Sequence, residues 1–215
     1  MRFAINGFGR VGRTLLRVYA SREDARARLT LAAINEIADA DTVVHLARYD
    51  SNYGRYPGAI ARAASSLVID QRSVPLSHVA EVARLPWQQH QIDLVLECTG
   101  AFTDRITAEQ HLHAGASRVL FSQPAESDVD ETIVYGVNSD SLSADMTVVS
   151  AASCTTNAVV PVLATLSRAV GIEAATITTI HSLMNDQPVL DAYHHTDLRK
   201  TRAASQSIIP VDTGL

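Results

Sequence analysis

Phe3-Ala4-Ile5-Asn6-Gly7-Phe8-Gly9-Arg10-Val11-Gly12 runs from a short apolar stretch straight into the pattern G-x-G-x-x-G. The apolar residues predict a buried strand. Arg13 to Tyr19 predicts a helix with Leu15, Leu16 and Tyr19 turned inward. A glycine cluster alone reads as an ordinary turn; between a predicted strand and a predicted helix it reads as a dinucleotide fingerprint. Gly7 permits the tight turn, Gly9 lets the backbone approach a pyrophosphate, and Gly12 allows close packing of helix on strand. The pyrophosphate then meets unpaired N–H groups at the positive end of the helix. A second predicted strand, Leu29 to Ile34, ends in Asn35-Glu36, 24 residues past Gly12. A carboxylate there accepts from a ribose 2′-OH and repels a 2′-phosphate, which favours NAD over NADP.

Working outward, apolar runs alternate with helical patterns, as in βαβ units. Thr42 to Leu46 lies in a second helix. Residues 49–85 break the pattern: they are turn-rich, and short runs around Val68-Ile69 and Val79 to Val82 predict inserted antiparallel strands. The parallel theme returns at Ile92 to Leu96, a helix near Thr107 to His113, and Arg118 to Phe121. Short strands follow at Thr132 to Tyr135 and Thr147 to Val149. A long helix starts near Cys154 and runs through Leu166, with Pro161 inside it. Ile172 to Ile180 alternates like a strand, and Asn185 to Ser207 is polar and irregular. The expected fold class is α/β, a Rossmann-type doubly wound parallel sheet in residues 1–152, with an incomplete α+β catalytic domain in residues 153–215.

Composition narrows the partners. The 215 residues are 47% hydrophobic and 19% charged, as in a globular protein, and 18 Lys and Arg against 23 Asp and Glu give a net charge of −5. That balance provides no general attraction to nucleic acid or an anionic membrane. No stretch reaches the roughly 18–20 apolar residues needed to cross a bilayer. Two cysteines make no disulfide framework. A cytoplasmic protein without a nucleic-acid or membrane partner is expected.

Ser153-Cys154-Thr155-Thr156-Asn157 bridges a predicted strand and a predicted helix. A thiol at a helix start gains thiolate character from nearby N–H groups, and Ser153 is a suitable N-cap. Cys98, inside the apolar run Leu94 to Cys98, reads instead as a buried structural cysteine. A cysteine nucleophile needs a base. His181 follows the predicted strand ending at Ile180, but spacing alone does not choose it over His45, His78, His90, His111, His113, His194 or His195. No Cys and His spacing points to a metal site.

These segments together carry a resemblance. Asn6 to Arg13, Glu97-Cys98-Thr99-Gly100, Ser150 to Asn157 and Thr178-Thr179-Ile180-His181-Ser182 resemble the phosphorylating glyceraldehyde-3-phosphate dehydrogenase family over the whole chain. Leu120 to Pro124, Asp186-Gln187, Asp191 to His194 and Arg202 to Thr213 look like the branch that oxidises D-erythrose 4-phosphate. The resemblance implies that Cys154 adds to an aldehyde, giving a thiohemiacetal. His181 takes the hydroxyl proton as hydride passes to NAD, and water resolves the thioester to 4-phosphoerythronate, on the route to pyridoxal phosphate. It further implies cofactor contacts at Asn6, Gly7, Gly9, Arg10, Val11, Gly12, Glu36, Thr99 and Ser122. Substrate contacts fall at Ser153, Thr155, Lys200, Thr213 and Gly214. The segment 185–207 would pack on a neighbouring subunit in a homotetramer.

There are departures from the family pattern. Ala80 stands where an Arg is expected to reach the cofactor, and Lys200 where a substrate-binding Arg is expected, keeping charge without the bidentate fork. Family members continue past position 215, so a truncated member with reduced activity is expected. Glyceraldehyde-3-phosphate dehydrogenase proper and a non-catalytic NAD-binding module are the alternatives.

Overall fold

Strand β1 (Arg2–Asn6) is buried from Phe3 onward and forms the middle of the sheet. The computed structural model describes residues 1–184, 187–194 and 197–211. The chain divides into two compact units, Met1–Ala152 and Ser153–Leu215.

In the first unit, β1 leads into α1 (Arg10–Ser21), which buries Gly12 and Leu16 against the core that holds Phe3, Ile5 and Ile34. A short α2 (Glu23–Arg28) precedes β2 (Thr30–Asn35); it buries no residue, so no apolar periodicity announces it. Asp39 caps α3 (Ala40–Arg48) by accepting from the Asp41 and Thr42 N–H groups. A two-stranded ribbon, β3 (Tyr49–Asp50) with β4 (Gly54–Arg55), then leads into the antiparallel β5 (Ile60–Ala63), β6 (Ser66–Ile69) and β7 (Arg72–Ser77). The expected insertion is therefore present, but Val79 to Val82 is not a strand. That segment instead leads into a 3-10 turn at Val82–Arg84, where Val82 and Leu85 are buried beside Trp87 and Ala33. Apolar residues there serve a packed connection rather than a ladder.

The chain continues through α4 (Trp87–His90), β8 (Leu94–Glu97), α5 (Arg105–His113), β9 (Arg118–Phe121), β10 (Glu131–Thr132) and β11 (Val148–Ser150). The nine-stranded sheet has the order β10-β11-β9-β8-β1-β2-β7-β6-β5. Its first seven strands pair parallel and the β7-β6-β5 end antiparallel. β10 stops at Thr132, short of the expected Tyr135, which is 88% exposed and has no face to bury.

Asp130 ties this edge together. Its carboxylate accepts from the Thr147 and Val148 N–H groups at 2.7 and 2.9 Å and from Arg105 at 2.8 Å. Partial burial pushes the carboxyl up, but these donors outweigh it and hold Asp130 at about 2. A depressed carboxyl contributes stability above its unfolded pKa, and the contribution disappears as pH falls through the folded one. Asp130→Asn is thus expected to lower stability by roughly 2 kcal/mol near neutrality. The gap to wild type should close as pH drops from about 4 towards 2. Denaturant melts at several pH values measure it, and a gap independent of pH would refute the assignment.

In the second unit, α6 (Cys154–Val170) runs through Pro161 and ends at Gly171, whose φ of +76° suits a glycine. Ile172 to Ile180 does not form the expected strand. Alternation makes a strand only where a neighbour completes the hydrogen bonds, and among the described residues none pairs with it. From 187 on, the described residues form only one 3-10 turn, Leu198–Thr201.

Candidate active site

The strand order reverses at β1, with β2 on one side and β8 on the other, and such switch points open a crevice at the carboxyl ends of the strands. Here that crevice is a cleft of about 270 Å³ lined by Asn6, Gly7, Gly9, Glu36 and Thr99 among others. Gly7 has φ +87°, and a Cβ on it would lie 2.6 Å from the Thr99 nitrogen. A Cβ on Gly12 would meet the Gly7 carbonyl oxygen at 2.3 Å. Gly9 is different, for a Cβ there would meet nothing within 4 Å. It occupies the N-cap of α1 with no side-chain cap, which leaves the first-turn N–H groups available to an anion.

Glu36 supports this turn as well as lining the cleft. Its carboxylate accepts from the Phe8 N–H at 2.7 Å and the Ala38 N–H at 3.1 Å. Arg13 donates to the Phe8 carbonyl at 3.1 Å, so the Phe8 residue is held from both sides. Arg10 and Val11 are exposed on the first turn of α1. Ser122 is half-buried after β9, with its hydroxyl on Gln123 at 2.8 Å, and it does not line the cleft. Ala80 does line it. An uncapped helix start, open room at Gly9 and a carboxylate at Glu36 together fit a dinucleotide carrying a free 2′-OH.

In the second unit the sulfur meets an imidazole. Ser153 caps α6, its hydroxyl oxygen accepting from the Thr156 N–H at 2.9 Å. This puts Cys154 at the first helical position, exposed, between the buried Ser153 and Thr155. Its Sγ lies 3.3 Å from His181 Nε2. His181 Nδ1 lies 2.6 Å from the Ser182 carbonyl oxygen. A carbonyl only accepts, so Nδ1 carries a hydrogen and Nε2 is the nitrogen that exchanges a proton with sulfur.

The hydrogen bond from His181 lowers the Cys154 thiol below its ordinary range; burial opposes it, and hydrogen bonds from Thr155 add to it. His181 is raised by its hydrogen bond to the Ser182 carbonyl and then by that to Cys154. Both directions favour a thiolate–imidazolium pair. Cys98 shows the opposite case, since burial pushes its thiol up to about 12.

Lys200 is half-buried in the turn Leu198–Thr201. Thr213 and Gly214 lie outside the described residues, as does Asp186. The described residues contain no His, Cys, Asp and Glu group suited to a metal, and no helix long and apolar enough to cross a membrane. Sequence reasoning gave no site role to Glu97, which is buried at the end of β8 without lining the cleft, or to Asn35, which lines it. Their polar character inside apolar strands was the available signal.

Two family models match the chain. Residues 1–105 match the NAD binding domain of glyceraldehyde 3-phosphate dehydrogenase, and residues 153–215 match its C-terminal domain.

Proposed function

The chain belongs to the glyceraldehyde 3-phosphate dehydrogenase family, with NAD as the cofactor, and from that premise we propose that it oxidises the aldehyde of D-erythrose 4-phosphate to 4-phosphoerythronate. The observation that carries the chemistry is the 3.3 Å approach of Cys154 Sγ to His181 Nε2 at the start of a helix.

The Cys154 thiolate adds to the aldehyde carbon, and the resulting alkoxide takes the proton of the His181 imidazolium at Nε2 to give a thiohemiacetal, leaving His181 neutral. N–H groups at the helix start suit a negatively charged oxygen at this stage. His181 Nε2 then removes the hydroxyl proton, which lets C–H electrons leave as hydride. NAD supplies the acceptor for that hydride. The product is a thioester on Cys154. His181 Nε2 passes the hydroxyl proton to solvent; water then adds to the thioester carbonyl, the neutral Nε2 accepts the water's proton, and the C–S bond breaks to release the acid and restore the thiolate beside the imidazolium. The segments Leu120 to Pro124 and Arg202 to Thr213 support the erythrose-phosphate substrate by their likeness to that branch. We assign substrate contacts to Ser153, Thr155, Lys200, Thr213 and Gly214, cofactor contacts to Asn6, Gly7, Gly9, Arg10, Val11, Gly12, Glu36, Thr99 and Ser122, and domain limits to 1–152 and 153–215. A cytoplasmic homotetramer on the route to pyridoxal phosphate completes the reading.

Single-turnover NADH formation tests it. Stoichiometric protein should form NADH from erythrose 4-phosphate more completely than from glyceraldehyde 3-phosphate, and release the acid without inorganic phosphate. Acyl-enzyme that breaks down only when phosphate is added would replace this reading with a phosphorylating dehydrogenase.

A further inference from the structure

Four donors converge on a carboxylate that the chemistry above does not use. Glu97 ends β8 with no exposed surface. One of its oxygens accepts from the Thr99 N–H at 2.8 Å and from the Thr99 hydroxyl. The other accepts from Asn6 Nδ2 at 2.6 Å and meets His111 Nε2 at 3.0 Å. His111, on α5, is equally buried, and its Nδ1 receives the Trp87 indole N–H at 2.9 Å. An indole N–H only donates, so Nδ1 must accept and Nε2 carries the hydrogen given to Glu97.

Asn6 is fixed from its other side. Its side-chain oxygen accepts from Asn35 Nδ2 at 2.8 Å, and Asn35 in turn accepts from the Ser77 hydroxyl and the Val79 N–H. The sheet produces this alignment, because Asn6 stands in register with both Asn35 and Glu97. Asn6, Asn35 and Thr99 line the cleft, whereas Trp87 and His111 lie behind it.

We propose that Glu97 is a positioning residue for the dinucleotide: it holds Thr99 and Asn6 at the cleft wall and links them, through His111, to Trp87. The inference rests on NAD binding in this cleft. Only a carboxylate satisfies the arrangement, since both of its oxygens must accept. A glutamine amide would turn its NH2 either towards the Thr99 donors or towards Asn6 and His111, leaving donors facing donors in a buried network.

The single tryptophan of the chain makes the link observable, as its indole N–H gives one resonance in a ¹⁵N-labelled sample. In the wild-type protein, NAD should move that resonance. Glu97→Gln should weaken NAD binding about tenfold or more and leave the Trp87 resonance unmoved at saturating NAD. An aspartate at position 6 would face Glu97 with a second carboxylate, so Asn6→Asp should also weaken binding. Combining Asn6→Asp with Glu97→Gln lets the amide NH2 donate to the new carboxylate, leaving only the His111 N–H facing a donor, and should recover part of the NAD affinity lost in Asn6→Asp, a rescue that still reads out if Glu97→Gln alone fails to fold. Equal NAD affinity and an equal resonance shift in Glu97→Gln overturn the proposal, as does a double variant binding no tighter than Asn6→Asp. Wild-type protein that binds no NAD overturns the cofactor reading along with it.

Discussion

Cys154→Ser is expected to reduce NADH formation by about a thousandfold or more and to abolish rapid carbamidomethylation, while Cys98 stays unlabelled in both proteins. The two thiols differ in every respect that controls reactivity. Cys154 is exposed, starts a helix and shares a proton with His181. Cys98 is buried, and burial pushes its thiol up to about 12, so it holds almost no thiolate near neutrality. The pH dependence separates the contribution of the imidazole. The Cys154 pKa is lowered by the His181 hydrogen bond and the His181 pKa is raised, and both directions favour the charged pair. Alkylation of wild-type protein should therefore have its midpoint below the ordinary thiol range. His181→Asn should move that midpoint upward and lower turnover by roughly 10²–10⁴-fold, the usual contribution of a general base. An unchanged midpoint in His181→Asn would show that the contact does not set the thiolate population.

Gly12→Ala and Gly9→Ala should fail in different ways. At Gly12 the added carbon would stand 2.3 Å from the Gly7 carbonyl oxygen and 3.0 Å from an Ile5 methyl, so helix α1 must move away from β1. Overpacking of this kind costs roughly 1–3 kcal/mol, and displacing the helix start should also weaken NAD binding. At Gly9 the φ of −72° suits alanine, and the added carbon meets no protein atom within 4 Å. Gly9→Ala should then melt like wild type yet bind NAD at least about tenfold more weakly, because the space it fills is where the backbone approaches the pyrophosphate. Thermal melts and NAD titration of both variants give the comparison. Undiminished affinity in Gly9→Ala would place the pyrophosphate elsewhere.

Several features were legible because their causes are local. The strand at Phe3 to Ile5, the turn at Gly7 to Gly12 and the helix after it depend on residues within a few positions of one another. So does the Ser153 cap, which bonds three residues along the chain. Others were misread for the same reason. Val79 to Val82 is apolar to pack beside Trp87 and not to join a ladder. Ile172 to Ile180 has the alternation of a strand, yet no described segment pairs with it. α2 was missed because it buries nothing.

By itself, then, the amino-acid order determined the parallel α/β pattern, the dinucleotide turn and a cysteine at a helix start, since each follows from backbone sterics and short-range hydrogen bonding. Only the tertiary structure decided which of eight histidines meets Cys154, and which buried polar groups stand behind the cleft. Those pairings join residues 27 positions apart at Cys154 and His181, and 91 apart at Asn6 and Glu97. No periodicity encodes such partners, because strand register and chain path, rather than neighbouring residues, bring their atoms within bonding distance.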